Sequence, residues 1–267
     1  TWFESSGTTG AVSSRHYIRS LGLYRQSFLA GFRHFYGEPG NWCILGLLPA
    51  YLERSHSSLV VMVNELIHLS GHSQSGFYLY DQERLAATLQ SLETAGQQTM
   101  LFGVTFALVD FAEHYPQPLN HTIIMETGGM KGRGRELTRA ELHQLFEAAF
   151  GRPAAIPGGN APQPMPEIHA EYGMTELLSQ AYAPKNGIFY TPPWLKVSIR
   201  EDDDPLIIKD ISGIIEQGII NITDLANLDS CCFIATDDLG RLHPDGGFEV
   251  LGRVDQAEVR GCSQLVL

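Results

Sequence analysis

No apolar run in this chain approaches the ~20 residues needed to cross a bilayer, and its first residues lack a basic stretch leading into an apolar one. Neither a membrane span nor a secretion signal is read, and a cytoplasmic address is expected. Basic residues are scarce, 18 Lys and Arg against 30 Asp and Glu for a formal charge of −12, with no long basic cluster. That balance opposes a nucleic-acid footprint. A nucleotide remains compatible, because backbone N–H groups and a divalent cation set the local potential whatever the net charge. Cysteine is scarce too. Cys43, Cys231, Cys232 and Cys262 show neither paired C-x-x-C spacing nor the density of a disulfide framework, so zinc modules and secreted scaffolds are disfavoured and reduced thiols are expected. No Gly-Lys-Ser/Thr follows the glycines near the start, which argues against ordinary kinase or GTPase chemistry. Internal repeats and low-complexity tracts are absent.

With 267 residues and 43% hydrophobic content, the chain can build one large domain or two modest ones. From Asn41 to Glu126, short apolar runs alternate with longer amphipathic ones, the pattern of β-α repetition around a largely parallel sheet. Strands are expected at Trp42–Leu48, Thr99–Val104 and His121–Glu126, and helices at Ser57–Leu69 and Gln82–Ala95, the second capped by Asp81 and ended by Gly96. Thr138-Arg139-Ala140-Glu141 is a capping box ahead of the stripe Leu142, Leu145, Phe146, Ala149, with Gly151 beyond it. Residues 153–166 read as a connecting loop before a short strand, Ile168–Tyr172. Past Pro193 the texture changes: Leu195–Arg200, Gly218–Ile222, Cys232–Thr236 and Gly247–Leu251 lie between turn signals, as in antiparallel β structure. Cys43, Cys231 and Cys232 lie in these apolar runs and read as packing residues. His68 and His72, with Glu65 a turn earlier, have metal-like spacing, but no fourth ligand is evident and surface or capping roles are favoured.

Four short motifs carry the chemistry. Ser5-Ser6-Gly7-Thr8-Thr9-Gly10 has the composition of an anion-binding loop, its glycines letting N–H groups converge and its hydroxyls adding donors. Tyr172-Gly173-Met174-Thr175-Glu176 offers an aromatic face for a purine, a hydroxyl for a phosphate oxygen and a carboxylate for Mg2+. In Thr236-Asp237-Asp238-Leu239 and Gly252-Arg253-Val254-Asp255, Asp238 and Arg253 can satisfy opposite hydrogen-bonding capacities of a diol. Beside these four, Glu126-Thr127-Gly128-Gly129 ends an expected strand, where open α/β sheets place ligands. Glu171 reads equally as an acceptor for an adenine amino group or as a solvated carboxylate.

In this order and spacing the motifs resemble those of the adenylate-forming enzymes, which join a carboxylic acid to AMP before passing the acyl group on. The resemblance implies an α/β fold: an adenylate-forming N-terminal domain of mixed and parallel sheets flanked by helices, plus a β-rich subdomain, with the mobile C-terminal domain largely absent. It implies ATP and Mg2+ as cofactors. Residues 5–10 would wrap the phosphates, Gly128 and Gly129 would lie beside adenine, Tyr172 would stack near it, and Thr175 would contact the α-phosphate. Glu176 would hold magnesium, and Asp238 and Arg253 would grip the ribose. Asp255 matches the hinge position. Residues 1–193 would form the adenylate-binding core, its leading segment missing, 194–255 the β-rich subdomain and 256–267 a short tail.

The chain departs from that pattern where the lysines of the phosphate loop and of the C-terminal domain are expected; Arg15 or His16 are the candidate substitutes. With a shortened end and a late cysteine it is similar to the acyl-protein synthetase branch, in which the acyl-adenylate is attacked by a cysteine of the enzyme and the acyl group is relayed to a partner reductase. Cys262, beside Arg260, matches that nucleophile; a neighbouring guanidinium lowers a thiol pKa. The resemblance implies a fatty acid as the carboxylic acid substrate and an acyl-CoA reductase as partner. Two alternatives stand beside it: a short adenylating ligase that acylates an external amine or thiol, and a nucleotide-binding partner protein without catalysis.

Overall fold

A computed structural model describes residues 1–5, 14–49, 53–128, 137–151, 166–201, 204, 206–209 and 213–254. The chain opens with an antiparallel pair, β1 (Trp2–Glu4) and β2 (Arg15–Tyr17), followed by helix α1 (Leu21–Tyr36). The Ser20 hydroxyl caps α1 by accepting from the Gly22 and Leu23 amides, and Tyr24, Phe28 and Phe32, one turn apart, bury a single aromatic stripe. Then come β3 (Cys43–Leu47), α2 (Ser58–Ser70), β4 (Gly76–Phe77), α3 (Gln82–Ala95), β5 (Thr99–Gly103), α4 (Thr105–His114), β6 (Thr122–Glu126), α5 (Arg139–Phe150) and β7 (Glu167–Tyr172). Strands β4, β3, β5, β6 and β7 lie side by side and parallel, as fully apolar strand runs and alternating helices require.

The expected caps are present. Asp81 accepts from the Arg84 amide, Gly96 takes the left-handed conformation at φ 67°, and Thr138 and Glu141 form a reciprocal capping box. Gly151 ends α5 in an extended rather than left-handed conformation.

At β7 the sheet changes character. An antiparallel run continues it through β8 (Ala181–Lys185), β9 (Ile188–Tyr190) and β13 (Phe248–Arg253) to β12 (Phe233–Leu242), β11 (Glu216–Asp224) and β10 (Leu195–Arg200), giving eleven strands in all. The β-rich half is thus hydrogen-bonded onto the α/β half through β8 and β9. One core layer packs α1 and α2 on one face of the parallel strands around Phe28, Phe32, Val63 and Phe102. A second packs α3, α4 and α5 on the other face around Leu89, Phe111 and Phe146, and a third fills the β-rich half around Ile199, Ile220 and Phe248.

Cys43 is buried, as its apolar run suggests, but Cys231 is exposed. It precedes β12 in the turn after a 3₁₀ segment, Leu225–Asn227, so the apolar run around it begins later than the sequence indicates. His68 bonds its own helix at the Asn64 carbonyl, and the His72 ring accepts from the Gln74 amide, so both are held by local backbone. Among the described residues, no helix is long and apolar enough to cross a membrane.

Candidate nucleotide site

The carboxyl ends of β5, β6 and β7 converge on one edge of the sheet. Beyond β6 the chain turns at Gly128, whose φ of 76° strains any residue carrying a side chain. The Glu126 carboxylate holds that turn by accepting from the Gly128 amide at 2.7 Å and from the Thr105 hydroxyl. The Thr105 amide in turn donates to the Gly128 carbonyl at 3.0 Å, and the Thr127 amide to Gly103 at 3.1 Å. Glu126 is therefore part of the site's construction, a role its sequence context did not announce. Gly129 lies outside the described residues.

Across the edge, Tyr172 closes β7 and packs edge-on against Phe189 and Phe248, with centroids 5.9 and 5.6 Å away. Its hydroxyl donates to Asp238 Oδ2 at 2.7 Å. Burial first, then the Asp238 charge and hydrogen bond, raise the Tyr172 pKa, so the phenol remains a donor. Asp238 and Arg253 are directly opposed partners on β12 and β13, with Arg253 Nε 4.0 Å from Asp238 Oδ1 and a second guanidinium nitrogen 3.8 Å from Asp237. Three separated motifs thus meet, and a carboxylate and a guanidinium face the same solvent with donor and acceptor capacity to spare.

Thr175 and Glu176 follow β7 on a turn closed by the Leu177 amide donating to the Met174 carbonyl. Two residues with no motif to mark them anchor this turn. Asp224, fully buried, accepts from the Leu178 and Ser179 amides at 2.8 and 3.0 Å and from the Ser179 hydroxyl at 2.7 Å. Asn227 donates to the Glu176 carbonyl at 2.7 Å. The glycine- and threonine-rich segment, residues 6–10, lies outside the described residues, but its flanks do not. Ser5 and Ser14 bond each other across the β1–β2 pair, and the Ser14 hydroxyl donates to Glu176 Oε1 at 3.5 Å. The first motif therefore emerges beside the second. Arg15 pairs with Glu4 at 3.3 Å and lies over the Trp2 ring, while His16 faces Asn227. Asp255 and Cys262 are outside the described residues.

Glu171 is not solvated. Successive residues of a strand face opposite ways, so with Tyr172 on one side Glu171 lies on the α1 side, 9% exposed. A side chain at Gly173 would meet its carboxyl, so the Glu171 side chain would have to shift to admit one. Burial, reinforced by the Glu126 charge, raises its pKa from 4.5 to about 8. Nearby, the Tyr182 hydroxyl and Gln180 Oε1 are buried without a hydrogen-bond partner. Because the folded value exceeds the unfolded one, this group's contribution to stability is complete below about 4.5 and is lost as pH rises to about 8. Glu171→Gln is expected to flatten that dependence and to raise the melting temperature at pH 8 by about 5 °C, equivalent to about 2 kcal/mol. Thermal melts of both proteins across this interval check it; parallel curves would mean that Glu171 ionises freely.

The fold is that of the N-terminal domain of adenylate-forming enzymes. Among the solved structures it matches, ATP-bound MatB from Rhodopseudomonas palustris superposes with a TM-score of 0.64 at 14% identity, covering 94% of this chain and 47% of that one. O-succinylbenzoate Coenzyme A synthetase (MenE) from Bacillus subtilis, in complex with ATP and magnesium ion, gives 0.58 at 17% identity over 94% and 49%. The long-chain-fatty-acid-CoA ligase FadD1 from Archaeoglobus fulgidus gives 0.59 at 14% over 95% and 51%. The chain spans about half the length of these structures. Neither a protein-family model nor a curated protein matches the sequence.

Proposed function

We propose that the chain takes part in the ATP-dependent activation of a carboxylic acid as its acyl-adenylate. The observation that carries this reading is the meeting of Tyr172, Asp238 and Arg253 beside the Thr175–Glu176 turn, on a fold whose solved relatives in shape include proteins captured with ATP and with magnesium. The residues fit the ligands. Asp238 and Arg253 supply an acceptor and a donor for a sugar diol, Tyr172 an aromatic edge beside them, and residues 5–10 the composition of a phosphate loop. Gly128 and Gly129 leave room for close backbone approach, with Gly173 and Met174 carrying the chain from Tyr172 to Thr175. Glu176 would hold magnesium, which when bound would screen the phosphate charge. Thr175 offers its hydroxyl to the α-phosphate. In the reaction, a carboxylate oxygen of the acid bonds to the α-phosphorus and pyrophosphate leaves.

The acid is a fatty acid on this reading, and the acyl group then passes to Cys262: the thiolate attacks the acyl carbonyl, a thioester forms and AMP leaves. A reductase partner would take the acyl group from there. The experiment is acid-dependent pyrophosphate exchange over an acid panel with the full chain, followed by acyl labelling. The expected result is exchange with long-chain acids and a hydroxylamine-sensitive label that disappears in Cys262→Ser. A label retained in that variant would place the acyl group on another residue, and exchange without any enzyme label would point to an external amine or thiol as acceptor. Nucleotide binding with exchange at background for every acid would leave a non-catalytic nucleotide-binding protein.

A further inference from the structure

The short 3₁₀ segment Leu225–Asn227 sits between the two strands of chain that carry the first and second motifs. Asn227, 1% exposed, spends every polar atom of its side chain there. Its amide nitrogen donates to the Glu176 carbonyl at 2.7 Å and to the Cys231 carbonyl at 2.8 Å, and its Oδ1 faces His16 Nε2 at 3.3 Å. His16 lies on β2, the strand that returns from residues 6–13, and a second set of contacts holds β2 to the same turn. The Ser230 hydroxyl donates to the Tyr17 carbonyl and approaches His16, while Arg19 pairs with Asp229 at 2.9 Å. One buried amide therefore ties the backbone of Glu176 on one side to β2 on the other.

This inference rests on the nucleotide reading above. We propose that Asn227 is a positioning residue that fixes the Glu176 carboxylate relative to β2, so that the carboxylate meets the metal of a magnesium–nucleotide complex, and that Asn227 thereby sets the protein's preference for MgATP over metal-free ATP. The physical ground is that a metal gains affinity only from ligands already held at the right separation. Groups that orient a ligand without touching the metal typically change metal affinity by about 10- to 100-fold when removed. An asparagine suits the task because its fork carries two donors and an acceptor on one rigid plane, and here donors and acceptor serve different segments of chain. Alanine would release both segments. Aspartate would keep the shape while turning an acceptor toward two carbonyl oxygens.

The test is calorimetric titration of the full chain with MgATP and with ATP in EDTA. The ratio of the two affinities is the readout, because a purely structural role would lower the melting temperature while leaving that ratio unchanged in the folded protein. Asn227→Ala is expected to lose about tenfold of the magnesium preference, at the lower end of the range for such outer groups. His16→Phe, at a partly exposed position, carries the test if Asn227→Ala does not fold, and should move the ratio in the same direction. His16→Gln restores an N–H at the position of Nε2 and should retain the wild-type ratio. An unchanged ratio in folded Asn227→Ala, or in His16→Phe where the first variant does not fold, overturns the positioning role. Wild-type protein that binds neither form of ATP overturns the nucleotide reading itself, a separate outcome.

Discussion

Asp238→Ala is expected to weaken ATP and AMP binding by on the order of 100-fold and to reduce acid-dependent pyrophosphate exchange at least as much. The magnitude follows from the chemistry of the position. Asp238 is half-buried, receives the Tyr172 hydroxyl on Oδ2 at 2.7 Å, and presents Oδ1 beside Arg253 at 4.0 Å. On the proposed reading it accepts from the ribose hydroxyls, and hydrogen bonds to a charged group are each worth about 1.5 to 3 kcal/mol net. Losing them, together with the alignment of Arg253, amounts to about 3 kcal/mol. Tyr172→Phe removes only the hydroxyl that orients Asp238, while the ring stays between Phe189 and Phe248, so a smaller loss of about tenfold is expected. Calorimetry with AMP separates the two variants. Wild-type affinity in Asp238→Ala would remove the sugar from this corner and with it the assignment of the third and fourth motifs.

The contrast between Asp238 and Glu171 indicates which parts of the site a sequence can reveal. Asp238 lies in a motif whose meaning is local, and its partner Arg253 is its neighbour across a hairpin, so two nearby stretches of sequence carry both. Glu171 sits next to a motif but its surroundings come from α1, β6 and β8, and neither its burial nor the pKa that burial produces is written in adjacent residues. Asp224 and Asn227 are the extreme case. Their partners on the Glu176–Ser179 turn lie 45 to 51 residues away, and in sequence they are an ordinary polar pair at an apolar strand end. Among the elements, those bounded by caps were legible: α3 runs from the residue after Asp81 to the residue before Gly96 as its punctuation indicates. Helix α4 lacks that help, since Val104 precedes it and offers no capping side chain. Its buried positions Thr105, Leu108, Phe111 and Ala112 do recur at helical spacing. Helix α1 carries signals of the same kind, the Ser20 cap and the Tyr24, Phe28, Phe32 stripe at helical spacing.

Asp224→Ala is the substitution expected to cost most stability. Its carboxylate is fully buried and its charge is balanced by donors alone: the Leu178 and Ser179 amides on Oδ2, and the Ser179 hydroxyl and the Ala226 amide, at 2.7 and 3.1 Å, on Oδ1. Alanine leaves the Leu178, Ser179 and Ala226 amides without their acceptor, and each orphaned buried donor costs about 1 to 3 kcal/mol. With partial relaxation the net loss should be about 4 kcal/mol, a fall of about 10 °C in melting temperature for a chain this long. The damage propagates because the Ser179 hydroxyl also meets Ser27 on α1 at 2.9 Å and accepts from the Trp194 indole at 3.1 Å. Asp224→Asn distinguishes charge from shape. The amide keeps one acceptor oxygen but points its NH2 at two backbone N–H groups, or, flipped, at the Ser179 hydroxyl, which can turn to donate elsewhere only by leaving its present partners. Most of the loss should therefore persist in the asparagine variant. Urea titration gives the global figure, and hydrogen exchange at the Leu178 and Ser179 amides gives the local one, since those amides should open ahead of the rest of the sheet. If Asp224→Ala unfolds with the wild-type midpoint and protects those two amides equally well, another group holds the Thr175–Glu176 turn in place.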